Sequence, residues 1–280
     1  MPAMSAPQMS WEEAVRWYRE QPGSEAAIRA NYFDLPVRAA AERYAASEEF
    51  KRVLQLVGRG GGSRLLDLGA GNGIASYALA RVGWRVIAVE PDPSEEVGAG
   101  AIRALAAETG LPIEVVDRVP DGDDTFDTVF ARQVLHHVPD LEQTMRDLFR
   151  LLRRDGMMLA LREHVVDSPA DLERFRAAHP LHAHYGGENA HLLEVYVAAA
   201  RAAGFKMHRA WGPLESVLNF HPGSEAQRVA HVRSLAARRI RLLGRALIHV
   251  PGYLEYALRM ITAEDRTPGR IYSFLFRKRR

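Results

Sequence analysis

Three glycines spaced two residues apart follow a short apolar run and open a helical stretch. The run contains Asp67, and the turn after it holds Gly69, Gly71 and Gly73. Glycine adopts the backbone angles of a tight turn and has no Cβ to block a ligand, and the amides at a helix start attract carboxylates or phosphates. Seventeen residues after Gly73, Glu90 ends the next apolar run, where a carboxylate can accept from both hydroxyls of a ribose. The spacing therefore predicts a nucleoside ligand.

Two other nucleotide motifs do not fit this turn. A dinucleotide-binding G-x-G-x-x-G motif that starts at Gly69 requires glycine or alanine at position 74, where the chain has Ile74. A P-loop requires Gly-Lys-Ser or Gly-Lys-Thr, and the sequence contains neither. A turn that merely packs is disfavoured by the acid before it and by Glu90 after it.

Short apolar runs alternate with amphipathic stretches on both sides of the turn. The runs predict strands at residues 65–68, 86–90, 113–117, 128–131 and 157–161. The stretches between them predict helices at 74–82, 94–108 and 141–153. This alternation is typical of a doubly wound, mostly parallel α/β sheet.

The flanking regions follow other patterns. Residues 10–56 predict helices, with Ser10 as an N-cap and a second helix from about Pro36 to Val57. After Asp167 a polar, histidine-rich stretch without regular structure is expected up to His191. The remaining elements are predicted as helices at 192–203, 225–249 and 253–262 and strands at 205–211 and 271–276.

Further sequence blocks lie at the fourth and fifth predicted strands. They are Phe126–Val129, Val134–Val138 and Leu151–Gly156. Together with the glycine turn, they resemble the small-molecule branch of the class I S-adenosylmethionine-dependent methyltransferases over residues 64–161. The resemblance implies a seven-stranded, Rossmann-like sheet that an antiparallel hairpin completes. It also implies a helical cap (1–60), a cofactor-binding core (61–212 and 269–280, with an acceptor-site loop at 165–191) and a helical insertion (213–268).

The resemblance assigns cofactor contacts residue by residue. The methionine end of S-adenosylmethionine is expected at Asp67, Gly69, Gly71 and Gly73, and Ala70 in the same turn is a further expected cofactor contact. The ribose is expected at Glu90, with Pro91 beside it, and the adenine between Asp117 and Arg118. Arg132 and Gln133 are expected near the transferred methyl group and the amino-acid end. Residues 118–125 depart from the family's pattern, because they lack its small-acidic pair.

Five of the 11 histidines fall between residues 164 and 191, beside the expected acceptor pocket. Histidine can act as a general base where the acceptor must lose a proton. The candidates are first His164, His182 and His184, and after them His136 and His137, which belong to a block common to the whole family. A divalent metal on Glu163 and the first three histidines is chemically allowed, but His-x-His without a fixed carboxylate spacing is a weak signal. No metal is therefore expected.

Composition limits the classes of function and partner. Without cysteine, the chain has no disulfide framework, thiolate zinc site or cysteine nucleophile. Residues 225–280 carry 13 basic and 4 acidic residues and thus a charge of +9, whereas the net charge of the whole chain is +2. Arg238, Arg239, Arg241 and Arg245 lie beside apolar residues in the predicted helix 225–249. This helix could favour an anionic or amphipathic acceptor, touch a membrane surface, or join two subunits in a homodimer.

The sequence thus predicts an enzyme that methylates a small molecule, such as a biosynthetic intermediate or a sugar. One alternative is a nucleic-acid methyltransferase that grips phosphates with the arginine-rich region. Against it, the fourth strand lacks a following Asn-Pro-Pro-Tyr or Asp-Pro-Pro-Tyr block, and there is no cysteine to attack a pyrimidine. Another alternative is a non-catalytic cofactor-binding protein. Because no apolar run reaches about 18 residues and the first residues lack signal-peptide order, a cytoplasmic protein is expected.

Overall fold

The computed structural model describes residues 9–239, 250 and 252–279, which form one sheet with helices on both faces. The strands are β1 (Arg64–Leu68), β2 (Arg85–Val89), β3 (Ile113–Val116), β4 (Phe126–Arg132), β5 (Leu152–Val166), β6 (His191–Leu192), β7 (Lys206–Trp211) and β8 (Arg270–Arg277). The first helices are α1 (Trp11–Arg19), α2 (Glu25–Ala30), α3 (Val37–Ala45), α4 (Glu48–Val57), α5 (Ile74–Arg81) and α6 (Ala99–Thr109). The others are α7 (Leu141–Leu151), α8 (Pro169–Ala178), α9 (Leu193–Ala202), α10 (Glu225–Arg239) and α11 (Tyr253–Glu264).

The central strands are buried on both faces, which explains their continuous apolar runs. Alternate residues of a strand point to opposite faces. Phe130 of β4 packs with residues of α3, α4 and α5. Its neighbour Val129 packs on the other face with residues of α7 and α9. Two hydrophobic layers therefore hold the sheet in place.

The strand order is β3-β2-β1-β4-β5-β8-β7, and the short β6 pairs with β5 outside this path. The first five strands of the path are parallel, whereas β8 runs antiparallel to both β5 and β7. The order reverses between β1 and β4, and ligands of open α/β sheets bind beyond the carboxyl ends of the strands at such a point. The predicted doubly wound sheet with its closing hairpin is confirmed.

The N-terminal helices follow their capping residues. Ser10 accepts a hydrogen bond from the amide of Glu13, whose carboxylate accepts from the Ser10 amide, so the predicted cap is confirmed. The prediction of one helix from Pro36 to Val57 is wrong, because the chain divides into α3 and α4. The Ser47 hydroxyl accepts from the amide of Phe50 at 3.1 Å and so starts a second helix.

Several predicted boundaries also differ. Helix α6 starts at Ala99 rather than at residue 94, because Asp92 accepts from the Ser94 amide and holds a turn there. The stretch expected to be irregular contains α8, which Ser168 caps, and β6. Residues 240–249, with Arg241 and Arg245, lie outside the described residues. Among the described helices, none is long and apolar enough to cross a membrane.

Candidate functional site

A cavity of about 360 Å³ opens at the carboxyl ends of the strands, where the strand order reverses. The turn after β1 and the residue after β2 form one side of it. Residues at the ends of β4 and β5 form the floor, and Trp11 of α1 and Tyr32 and Phe33, in the loop after α2, cover it. The sheet topology therefore brings together side chains that are far apart in the sequence.

The glycine turn is shaped by its contacts with neighbouring loops. Gly69 has a φ of 63°, and a Cβ at this position would lie 2.4 Å from Cγ2 of Val134. At Gly71 an added Cβ would meet nothing closer than 3.9 Å, and the residue lines the cavity. The Gly71 amide donates to the Glu90 carboxylate at 2.7 Å, and the Asp92 amide donates to it at 2.9 Å. The turn and the end of β2 are thus joined.

Two buried carboxyl groups face this part of the cavity. Burial raises the pKa of Asp67 to about 7, although the Ser76 hydroxyl, which donates to it at 2.5 Å, opposes the shift. Burial also raises the pKa of Glu90. Buried hydrogen-bond acceptors next to a turn that leaves the backbone accessible suit the hydroxyls and the polar end of a nucleoside.

Arg132, at the end of β4, connects the sheet to the N-terminal helices. Its Nε donates to Oε1 of Glu49 at 2.8 Å, and its Nη2 donates to the Ala30 carbonyl at 2.8 Å. The guanidinium centre lies 3.8 Å from the ring centroid of Tyr32. Burial raises the pKa of Glu49, but attraction to Arg132, His221 and Arg162 together with the hydrogen bond from Arg132 outweighs it and holds that pKa below its usual value. The pair is therefore ionised.

A second buried guanidinium, that of Arg162, lines the same cavity without such a partner. The residue is 7% exposed, and its Nε and Nη1 have no hydrogen-bond partner among the described residues. Burial, followed by repulsion from Arg132, lowers the pKa of Arg162 to about 10. Because Glu49 is already paired with Arg132, the floor of the cavity carries an excess of positive charge. Such a floor favours an anionic group.

The opposite end of the cavity is rich in histidine. His136, His137, His164 and His179 line it together with Glu188. Nδ1 of His136 lies 2.6 Å from a carboxylate oxygen of Glu163. Burial lowers the pKa of all four histidines, to about 3 for His164 and about 4 for His179, so their rings are neutral at neutral pH. Burial raises the pKa of Glu188 to about 7.

The structure brings most of the predicted site residues together. Those that line the cavity are Asp67, Gly69, Ala70, Gly71, Glu90, Pro91, Arg132, Gln133, His136, His137 and His164. Those outside the cavity lining are Gly73, Asp117, Arg118, His182 and His184. Gly73 is the N-cap of α5, and the ring of His184 packs on Trp17 with a centroid separation of 3.9 Å. The roles of all these residues stay predictions.

Sequence reasoning missed Arg162 and Glu188. Arg162 interrupts the apolar end of β5 with a φ of 59°, at a shift in the pairing of β5 with β8. The available signal was the polar triplet Arg162, Glu163 and His164 directly after the apolar run of β5, because burying such side chains requires a reason. Glu188 follows Gly186 and Gly187, both with positive φ. That glycine pair was the sequence signal for a turn, and the turn directs the Glu188 side chain into the cavity.

The comparisons with known proteins agree with this geometry. A family model described as a methyltransferase domain matches residues 38–210. The ubiquinone biosynthesis O-methyltransferase of Rhizobium rhizogenes is 33% identical over 128 residues, which are 44% of this chain and 50% of that protein. That of Methylocella silvestris is 38% identical over 104 residues, 35% of this chain and 39% of that protein. The chain thus spans half or less of the length of these curated relatives.

Solved structures share the fold. The geranyl diphosphate C-methyltransferase of Streptomyces coelicolor A3(2) aligns with a TM-score of 0.56 at 14% identity, over 98% of this chain and 89% of that one. The [4+2]-cyclase SpnF aligns with a TM-score of 0.52 at 21% identity, over 81% of this chain and 80% of that one. One fold thus accommodates a methyltransferase and a cyclase, so function must be argued from the site.

Proposed function

Because this chain belongs to the class I S-adenosylmethionine-dependent methyltransferase family, we propose that it transfers a methyl group from S-adenosylmethionine to a hydroxyl of a small-molecule acceptor. The acceptor is a biosynthetic intermediate or a sugar that carries an acidic group. The curated relatives are named O-methyltransferases, which supports a hydroxyl as the acceptor.

The observation that carries the proposal is the junction of the glycine turn with Glu90. The carboxylate is fixed by the amides of Gly71 and Asp92, and it faces the same cavity as the turn. Each carboxylate oxygen has a further lone pair, so Glu90 can accept from both ribose hydroxyls without releasing these amides. Gly71 leaves open the space beside it that a side chain would fill. The residues present therefore fit S-adenosylmethionine.

When bound there, S-adenosylmethionine supplies a methyl group on a sulfonium, which a nucleophile displaces in line. Transfer would join the acceptor oxygen to the methyl carbon while the carbon–sulfur bond broke and its electron pair stayed on sulfur. The protein's contribution to such a step is alignment of donor and acceptor and exclusion of water, worth up to about 7–11 kcal/mol of the barrier. Trp11, Tyr32 and Phe33 cover the cavity and serve the second purpose.

His164 is the residue that we assign to accept the hydroxyl proton. Its Nδ1 lies 2.8 Å from the Gly269 carbonyl, which can only accept a hydrogen bond, so the proton of the neutral ring is on Nδ1. Nε2 is left as the base; because burial lowers the pKa of His164 to about 3, it takes the proton only as bonding to the methyl carbon makes the acceptor oxygen strongly acidic. We expect His164→Gln to lower kcat by about 10²–10⁴-fold and to leave the affinity for S-adenosylhomocysteine unchanged.

The deciding experiment measures binding before turnover. Calorimetry should give one site for S-adenosylhomocysteine and no binding of NADH, because position 74 does not suit a dinucleotide. Transfer of a labelled methyl group is then screened over hydroxylated acids and over their neutral esters, and the acids should be methylated faster. A folded protein that does not bind S-adenosylhomocysteine contradicts the proposal. Binding without transfer to any acceptor favours a non-catalytic role.

A further inference from the structure

The histidine-rich end of the cavity has the composition of a metal site. The loop after β4, the C-cap of α8 and the loop before β6 place His136, His137, His179 and Glu188 on the same part of the cavity wall. One potential ligand atom from each of His136, His137 and Glu188 lies within 4.8 Å of the other two. His137 Nε2 is 4.0 Å from Oε2 of Glu188, and His179 Nδ1 is 3.6 Å from Oε1. Ligand atoms around a tetrahedral metal with bonds of about 2.1 Å are roughly 3.4 Å apart, so small side-chain movements close the site.

The two adjacent histidines are held in the form that a metal requires. Nδ1 of His137 lies 3.1 Å from the Gly187 carbonyl, and Nδ1 of His136 lies 2.6 Å from the Glu163 carboxylate. Both partners accept hydrogen bonds, so each ring donates from Nδ1 and keeps its lone pair on Nε2. Metal-binding histidines are oriented in the same way, by a carbonyl or carboxylate on the other ring nitrogen. Glu163 also accepts from the amides of Val134 and His136, which fixes its own position.

Neither the Glu188 carboxylate nor Nδ1 of His179 has a hydrogen-bond partner among the described residues. Glu188 is 6% exposed, and its carboxylate accepts no hydrogen bond from the part of the chain that the structure describes. Nδ1 of His179 is buried and also has no hydrogen-bond partner there. A buried carboxylate without a donor or a cation is costly and rare. A cation between these two groups and the two adjacent histidines would satisfy all of them.

We propose that His136, His137 and Glu188, joined by His179, bind one divalent first-row transition ion such as Zn²⁺, Fe²⁺ or Co²⁺. Three imidazoles and one carboxylate favour such ions over Mg²⁺ and Ca²⁺, which prefer oxygen ligands. The site does not depend on the proposed function. If that function is correct, a metal held there would ease the loss of the acceptor's proton to His164.

Metal binding is tested directly on tag-free protein from which metals have been removed with a chelator. We expect calorimetry to give one site for Zn²⁺ and for Co²⁺, with no measurable binding of Mg²⁺, and bound Co²⁺ to give visible absorption bands of a nitrogen and oxygen ligand set. Glu188→Gln and His137→Gln should each weaken Co²⁺ binding at least tenfold and change the spectrum. The matched control, His182→Gln, changes a histidine of the same loop that does not line the cavity, and it should bind Co²⁺ like the parent.

The outcomes separate cleanly from those for the proposed function. Thermal unfolding first establishes that each variant is folded, and two independent ligand variants guard against the failure of one. The metal site is refuted if the folded parent binds neither ion, or if both ligand variants bind Co²⁺ as tightly as the parent. S-adenosylhomocysteine is titrated into the metal-free protein in parallel. Its binding there supports the proposed function whatever the metal does, and its absence contradicts that function alone.

Discussion

Replacing Arg162 with methionine should make the protein without ligand more stable. It should also weaken the binding of an anionic ligand in the cavity. The guanidinium is buried, and two of its nitrogens lack partners within the described residues. Its pKa falls from 12.5 to about 10, so the charged form is disfavoured in the folded state and the penalty applies at every pH below about 10. The lowering of this pKa from 12.5 to about 10 corresponds to roughly 3 kcal/mol. Methionine fills similar volume without charge, so Arg162→Met should recover up to that amount.

Arg132→Met is the matched contrast, because it makes the same substitution in the same cavity with the opposite expected sign. Arg132 is paired with Glu49, which is fully buried. Removing one partner of a buried ion pair leaves the other charge uncompensated and costs about 3–5 kcal/mol. Chemical denaturation of the parent and the two variants at pH 7 measures both effects. The reasoning about Arg162 fails if Arg162→Met is destabilised as Arg132→Met is.

Ligand binding by Arg162→Met identifies the anion that the guanidinium holds. The carboxylate of the cofactor's methionine end and an acidic group of the acceptor have the same chemistry. If Arg162 binds the first, the variant should lose at least tenfold in affinity for S-adenosylhomocysteine but bind 5′-methylthioadenosine, which lacks the amino-acid end, like the parent. If it binds the second, both affinities stay unchanged and the acceptor KM rises. Unchanged affinities together with an unchanged KM would refute an anion-binding role.

Three further changes test the cofactor side of the cavity. Glu90→Ala should weaken S-adenosylhomocysteine binding by about 1.5–3 kcal/mol in calorimetry, and equal affinity in a folded variant would remove the ribose assignment. Gly69→Ala should abolish that binding because its Cβ would collide with the loop after β4, whereas Gly61→Ala, which also has a positive φ but open space, should retain it. Asp67 has a folded pKa of about 7, above its usual 3.8, so its ionisation destabilises the folded state as pH rises from about 4 to 7. In denaturation experiments, Asp67→Asn should therefore reduce the fall in the free energy of unfolding between about pH 4 and 7 by up to about 4 kcal/mol. If the free energy of unfolding changes equally with pH in variant and parent, Asp67 does not have this raised pKa.

Local patterns in the sequence were sufficient for the sheet and for one half of the site. The strand with Asp67, the glycine turn and Glu90 depend on residues close together in the chain, where periodicity and backbone preference decide the structure. Arg162 depends instead on a shift in the pairing of β5 with β8, a strand from a distant part of the sequence. The burial of Glu188 likewise depends on packing of a loop against the end of β4. No local rule gives either.

The errors in the predicted helices come from capping residues and from weak amphipathicity. A helix across residues 36–57 satisfied the apolar periodicity, but Ser47 offers its hydroxyl to the backbone and begins a new helix. Helix α8 was missed because its sequence is only weakly amphipathic, with Phe175 and few other residues buried. Its start at Ser168 and Pro169, a cap followed by proline, was the readable signal.

The position of β8 inside the sheet constrains how the protein can be made. Its residue Ser273 accepts a hydrogen bond from the amide of Arg162, 111 positions earlier in the chain. At about 5–20 residues per second, a ribosome needs on the order of 10 s to synthesise the intervening segment. Throughout that interval the edge of β5 that β8 later covers is exposed, and Phe274 and Phe276 are not yet available to the core. A nascent chain with an unpaired apolar strand edge is prone to associate with other nascent chains. A high local concentration of nascent chains should therefore lower the yield of soluble protein.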